Sequence, residues 1–482
     1  MQTQYDVIVV GAGLSGIGAA YHIQNNCPGK SFVVLEGRST MGGTWDLFKY
    51  PGIRSDSDMY TMGFPFNPWK GTKSLADGPS ILQYIKDTAQ KFGIDKKIQY
   101  NHKVIKASWS DADKMWTLDL APHETVKSQQ LQCTFLMMCS GYYNYTNAYS
   151  PHFPASETFK GPIIHPQHWD PTIDYTNKKI ILIGSGATAI TLAPALAVKA
   201  QKVILLQRSP TYVLSLPGED KLSKLFTFLF PSKLAYQLSR WKNIMNASGF
   251  YSASRKWPNT VSRFLRKRIQ KELGPEYNMA HFDPNYSPWD QRLCIVPDSD
   301  LFRAIKTGKL EIITDTIRCF NPDGLQLDSG QMLEADMIIT ATGLNIQLLG
   351  GMSLFVNGKL LDTSKTHCYR GVMFNDVPNF AISIGYTNAS WTLKCNLNCQ
   401  FTVKLLNFME RKRYAVCTPR FDSKLFGSEP FIHSKAGFIK RAVAVLPKQG
   451  SKHPWKVYQN YARDYLSLKL ESVNNKHLEF RK

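Results

Sequence analysis

One local pattern occurs twice in this chain. Near the start, YDVIVV runs into Gly11-Ala12-Gly13-Leu14-Ser15-Gly16, a helical stretch follows to about Asn26, and SFVVLE ends in Glu36. Farther on, KKIILI ends in Ile183 and leads into Gly184-Ser185-Gly186-Ala187-Thr188-Ala189. A helix then runs to about Val198, and KVILLQR ends in Arg208. Strand, G-x-G-x-x-G/A turn, helix and second strand make up the dinucleotide-binding βαβ unit. Its glycines let backbone amides approach a pyrophosphate at the helix N-terminus, where peptide dipoles favour negative charge. Two such units in 482 residues require an α/β chain with two Rossmann-like domains.

The residues ending the two second strands differ in sign. Glu36, twenty residues past Gly16, suits a ribose with free hydroxyls, whereas Arg208 suits a 2′-phosphate that a glutamate would repel. The second site is therefore expected to take NADPH. Two dinucleotides in one chain point to a tightly held flavin, FAD, and its hydride donor. Gly43, Thr44 and Trp45, in GGTW, follow the ribose acid where a flavin ring would arrive. The apolar strand ADMIITATG, with Thr342 and Gly343 at its end, is expected to close the flavin site. The expected organisation is a first FAD segment over 1–155, a linker over 156–175, and a first NADPH segment over 176–217. A helical insertion over 218–288, a second NADPH segment over 289–335 and a second FAD segment with a tail over 336–482 complete it.

Composition narrows the class. A chain 43% hydrophobic at this length fills more than one core. The first Lys or Arg is Lys30, so the apolar start has no charged signal-peptide region. The uncharged run from Ile180 to Val198 is long enough for a membrane span, but GSGATA and a proline make it strand, turn and helix. Nine scattered cysteines form no disulfide framework and point to a reducing cytoplasm. Cys395 and Cys399 share a helical face with no histidine to complete a metal set, so they are expected to pack rather than to ligate. The pattern Ile81, Tyr84, Ile85, Thr88, Ala89 predicts a helix stopped by Gly93, and KVIKASW, KMWTLDL and QCTFLMMCSG predict strands.

A net charge of +21 needs a surface explanation. Much of it falls in SRKWPNTVSRFLRKRIQKEL, a basic amphipathic helix from Val261 to Leu273 that should stop at Gly274. Such a helix is expected to be a solvated face, with peripheral contact to anionic lipid as the alternative. No module for reading nucleic acid is present.

In FKGPIIHPQHWD, Phe159, Gly161, His165 and Trp169 stand in the spacing F-x-G-x-x-x-H-x-x-x-W. With the flanking glycine motifs and the ATG stretch, this segment resembles the type I Baeyer-Villiger monooxygenases, within the class B flavin monooxygenases. GGTWDLFKYPGIRSDSDMYT, CSGYYNY, LQRSPTY, NYSPWDQRLC, ATGLN and GYTNASWTLK extend the resemblance from residue 5 to about 465.

The resemblance implies that NADPH reduces FAD, that the reduced flavin captures O2 as a C4a-peroxide, and that oxygen enters a ketone to give an ester or lactone. Sulfides and thioamides are further expected substrates. It implies that Arg292 stabilises negative oxygen and that Asp56 pairs with it, since a lone guanidinium in a dry pocket is costly. It also implies that the backbone near Val104 reaches the adenine and that Ser15 and Thr44 touch FAD. Arg54, Ser55 and Asp56 would approach the nicotinamide, and Gln207 would join Arg208 at the ribose phosphate. Gln291 stands where some relatives carry a base, which lowers the expected preference for NADPH over NADH. Gly161 is expected to permit an unusual backbone angle, Trp169 to anchor the linker, and His165 to hydrogen-bond across it rather than act as acid or base. The aromatic stretches MGFPFNPW and SASRKWP suit a small apolar ketone. The alternatives are a nitrogen- or sulfur-oxidising flavin monooxygenase and a non-enzymatic redox sensor holding both cofactors. A disulfide reductase would need a cysteine where GGTW has tryptophan.

Overall fold

The computed structural model describes residues 2–122, 129–434 and 436–482. Its first sheet is built on strand β1 (Gln4–Val10), which pairs in parallel with β2 (Phe32–Leu35) on one edge. On its other edge runs β6 (Gln130–Met138), also parallel. Helix α1 (Leu14–Asn26) makes the crossover. β3 (Ile98–Gln99) extends the sheet beyond β2, while β4 (Val104–Ser110) and β5 (Met115–Leu120) lead antiparallel into β6.

Alternation along β1 supplies both faces of this sheet. Val7 and Val9 pack with α1 and the long helix Trp391–Lys412 on one side, and Ile8 and Val10 pack with Trp109 and Trp116 on the other. Fully burying a side chain of that size contributes about 1.5–3 kcal/mol, so a strand apolar on both faces belongs in the middle of a covered sheet.

The second sheet is wholly parallel. Its order is β9 (Leu310–Thr314), β8 (Lys202–Gln207), β7 (Lys179–Ile183), β10 (Met337–Thr340), then Ile163–Ile164. Helix α2 (Ala187–Ala197) crosses from β7 to β8, so the uncharged run at Ile180 is strand, turn and helix. Among the described residues no helix is long and apolar enough to cross a membrane.

Strand β10, expected on the flavin side, belongs instead to the second sheet. All four of its residues are buried, and β7 and Ile163–Ile164 satisfy its two edges. The FxGxxxHxxxW segment is likewise no free connection, because Ile163 and Ile164 form that sheet's edge. Between the two halves of the second unit lie α3 (Lys221–Leu229), α4 (Ser232–Lys256) and α5 (Pro258–Leu273). Gly274 ends α5 at a φ of 97°, as its position predicts.

Candidate active site

Both glycine turns open into one cavity of about 1390 Å³. Ordinary small-molecule pockets measure about 300–1,000 Å³, so the space exceeds one ordinary ligand. At the first turn Gly11 has a φ of 106° and at the second Gly184 has a φ of 139°, a region that side-chain-bearing residues avoid. A Cβ on Gly11 would meet the Cys139 carbonyl, and one on Gly184 the Ala341 carbonyl. Helices α1 and α2 start at Gly13 and Gly186 with no side-chain cap, leaving their first N–H groups free for an anion.

Around the first turn, Gly13, Ser15, Gly43, Thr44, Trp45 and Val104 all line the cavity. Glu36 lines it from the end of β2, accepting from Ala12 N at 2.8 Å and Arg38 N at 3.0 Å. Burial pushes its pKa up, while those two N–H donors and the Arg38 charge hold the carboxylate form. Each oxygen keeps a lone pair for another donor. Gly16 does not reach the cavity; its missing side chain lets α1 sit against the Gly11 carbonyl.

Around the second turn, Ile183, Ser185, Ala187, Thr188, Thr342 and Gly343 line the cavity. Arg208 stands exposed on its wall and makes no ion pair among the described residues. Gln207, expected beside it, points the other way. It is buried, and its Nε2 donates to His281 O at 2.8 Å and Thr314 Oγ1 at 2.9 Å. Successive strand residues face opposite sides, so only one of this pair can meet a ligand. Ala189 is buried in the first turn of α2 and does not line the cavity either.

In the same cavity, Arg292 Nη2 lies 2.7 Å from Asp56 Oδ1, and both residues line it with Gln291 and Ser55. The Arg292 side chain is 41% exposed, and that exposure is toward the cavity. Burial opposes its charge, but Asp56, with Tyr143 and Tyr142 behind it, raises its pKa. The guanidinium is therefore a fixed cation. Arg54, on the same loop as Asp56, is paired at 2.5 Å with Asp300 at the start of helix Asp300–Lys306. Cys294 lies nearby, and burial pushes its thiol up to about 12, so it offers no thiolate nucleophile at neutral pH.

The FxGxxxHxxxW segment braces this cavity without lining it. His165 Nε2 donates to Gly343 O at 3.2 Å, and its Nδ1 accepts from Gln167 N at 3.1 Å. Burial lowers its pKa, which favours the neutral tautomer that this pattern needs. Phe159 and Trp169 are buried. Gly161 has no positive φ, contrary to expectation; a Cβ there would come 2.5 Å from the Asp336 carbonyl, so close approach is what requires glycine.

Several lining residues carry no readable local signal. Tyr50, Tyr142 and Tyr143 line the cavity with Arg292 and Thr188, and Arg441 stacks on Tyr149 at 3.4 Å. CSGYYNY displays the tyrosines, but nothing local shows which way they face.

A family model described as flavin-binding monooxygenase-like matches residues 59–349, and one for an NAD(P)-binding Rossmann-like domain matches residues 9–74. The chain is 49% identical to the FAD-containing monooxygenase EthA of Mycobacterium tuberculosis, covering 100% of this chain and 99% of that protein. A steroid monooxygenase bound to NADP superposes with a TM-score of 0.79 at 19% identity over 100% of both chains. A polycyclic ketone monooxygenase from Thermothelomyces thermophila gives 0.78 at 18% identity, covering 100% of this chain and 90% of that one.

Proposed function

Because the chain belongs to the flavin-binding monooxygenases, we propose that it is one of the Baeyer-Villiger type and oxidises small apolar ketones to esters or lactones, with sulfides and thioamides as further substrates. FAD and NADPH supply the electrons, and with O2 the reactive oxygen, that the chemistry requires. The cavity fits both groups: two uncapped helix N-termini, an acid at the first strand end, and at the second an arginine with no ion pair among the described residues.

The observation carrying the reading is the Arg292–Asp56 pair on the wall of the cavity that both turns share. In this reading Gly13 and the α1 amides hold the FAD pyrophosphate, and Glu36 accepts from its ribose. Gly186 and the α2 amides hold that of NADPH, with Arg208 at the 2′-phosphate. Arg292 stabilises negative charge growing on the substrate oxygen, and Asp56 fixes its direction. Tyr142, Trp391 and Phe438 exclude water.

The deciding experiment supplies the purified holoenzyme with NADPH, labelled O2, and a panel of 2-alkanones, aryl ketones and one thioether. One labelled oxygen in an ester, with NADPH consumed in proportion, supports the reading. Labelled sulfoxide without any ester moves it to heteroatom oxygenation, and hydrogen peroxide without product overturns it for these substrates.

A further inference from the structure

Helix α3 turns its apolar residues outward. Of its nine residues only Ser223 is buried, and Phe228 is 87% exposed. Leu222, Leu225, Leu229, Phe230 and Leu234 are exposed with it, so the turn between α3 and α4 ends in an apolar tip. A helix folded against water hides such residues, and a contiguous exposed set marks a surface meant to be covered. Helix α5, the basic helix singled out by sequence, is different. Its stripe of Val261, Leu265 and Ile269 is buried against the body and is not available to a partner.

Charge selects the partner. Residues 219–245 carry five bases against two acids, Glu219 and Asp220. Those acids pair with Lys224 and Lys242, whereas Lys221 and Lys233 make no ion pair among the described residues and bracket the tip. A second copy seated on this face would set lysine against lysine, in a chain already at +21. Lipid phosphate complements both the lysines and the apolar tip.

We propose that the α3–α4 tip docks on an anionic lipid surface, with Phe228, Leu229 and Phe230 entering the boundary between headgroups and acyl chains. The tip is tied to the body of the enzyme. Arg240 Nη1 donates to the carbonyls of Tyr60 at 2.6 Å and Gly63 at 2.8 Å, on the segment whose Ser57 and Met62 line the cavity. Docking is independent of which substrate the enzyme oxidises.

The test is flotation of the FAD-loaded full-length protein with vesicles of equal parts phosphatidylcholine and phosphatidylglycerol, and with phosphatidylcholine alone. The protein should float with the mixed vesicles and much less with the neutral ones. The double variant Phe228→Ser/Leu229→Ser should lose at least ~10-fold in bound fraction, and Lys221→Glu/Lys233→Glu should lose the preference for anionic lipid. Both pairs are exposed, so turnover of a water-soluble ketone should stay unchanged and report an intact fold. Failure of the wild type to float, or flotation of the serine variant at the wild-type level, overturns the proposal. So does a wild-type dimer that the serine variant converts to monomer, which would make the face a contact between copies.

Discussion

Arg292 Nη2 donates to Asp56 Oδ1 at 2.7 Å, joining residues 236 positions apart on the cavity wall. The acid comes from the loop after the first glycine unit and the base from the stretch following the helical insertion. Arg292→Ala should lower ester formation at least ~100-fold, the scale of losing a dedicated oxyanion stabiliser. Arg292→Lys keeps the charge but not the planar fork, so it should recover only part. Product formation measured beside NADPH consumption checks both, and near-normal ester from the alanine variant removes Arg292 from the chemistry.

Arg208 tests the second nucleotide site separately. It has no ion pair to lose among the described residues, so Arg208→Ala should leave thermal stability within about 0.5 kcal/mol. Its KM for NADPH should rise about 10- to 100-fold, the worth of a charge-assisted pair, with little change for NADH. Steady-state kinetics with both donors decides this, and an equal rise for NADH would place the arginine away from the phosphate.

These two predictions draw on residues of unequal legibility. The glycine turns and Arg208 are readable because strand, turn and helix each depend on neighbours in sequence. Gln207 departs from expectation because position beside a ligand-facing residue does not give its direction. Strand β10 is recognisable from its apolar run, but its sheet depends on pairing with Ile180–Ile183 and Ile163–Ile164, which local periodicity does not encode. The outward face of α3 is hidden for a similar reason. A Phe- and Leu-rich helix reads as core until its neighbours are known.

Gly161 gives a steric prediction. Gly161→Ala places a methyl 2.5 Å from the Asp336 carbonyl and should destabilise the protein by about 1–3 kcal/mol, the usual cost of overpacking. Gly249, inside α4, is the counterpart, because a methyl added there meets nothing within 4 Å. Gly249→Ala should stabilise by about 0.5–1 kcal/mol through helix propensity. Thermal unfolding of the two variants should shift in opposite directions, and a Gly161→Ala protein as stable as wild type would show that the Asp336 carbonyl can yield.

His165 adds a pH dependence whose sign is set by its surroundings. Burial is the largest effect on it and lowers its pKa from 6.5, with the bond to the Gly343 carbonyl opposing. Below about pH 6.5 the unfolded chain therefore binds a proton that the folded chain resists. The contribution of His165 is fully present above that pH and is lost as pH falls toward and through the lower folded value. Protonation also removes the Nδ1 lone pair that accepts from Gln167 N, loosening the brace behind Gly343. His165→Gln keeps a polar side chain without the titration, so it should lose less stability than wild type between pH 7 and pH 5. Other histidines, including buried His22 and half-buried His281, carry lowered pKa values as well, so the variant should flatten the slope in part rather than abolish it. Melting temperatures measured across that range in one buffer series provide the check. Parallel curves for the two proteins would mean that His165 titrates alike in the folded and unfolded chain.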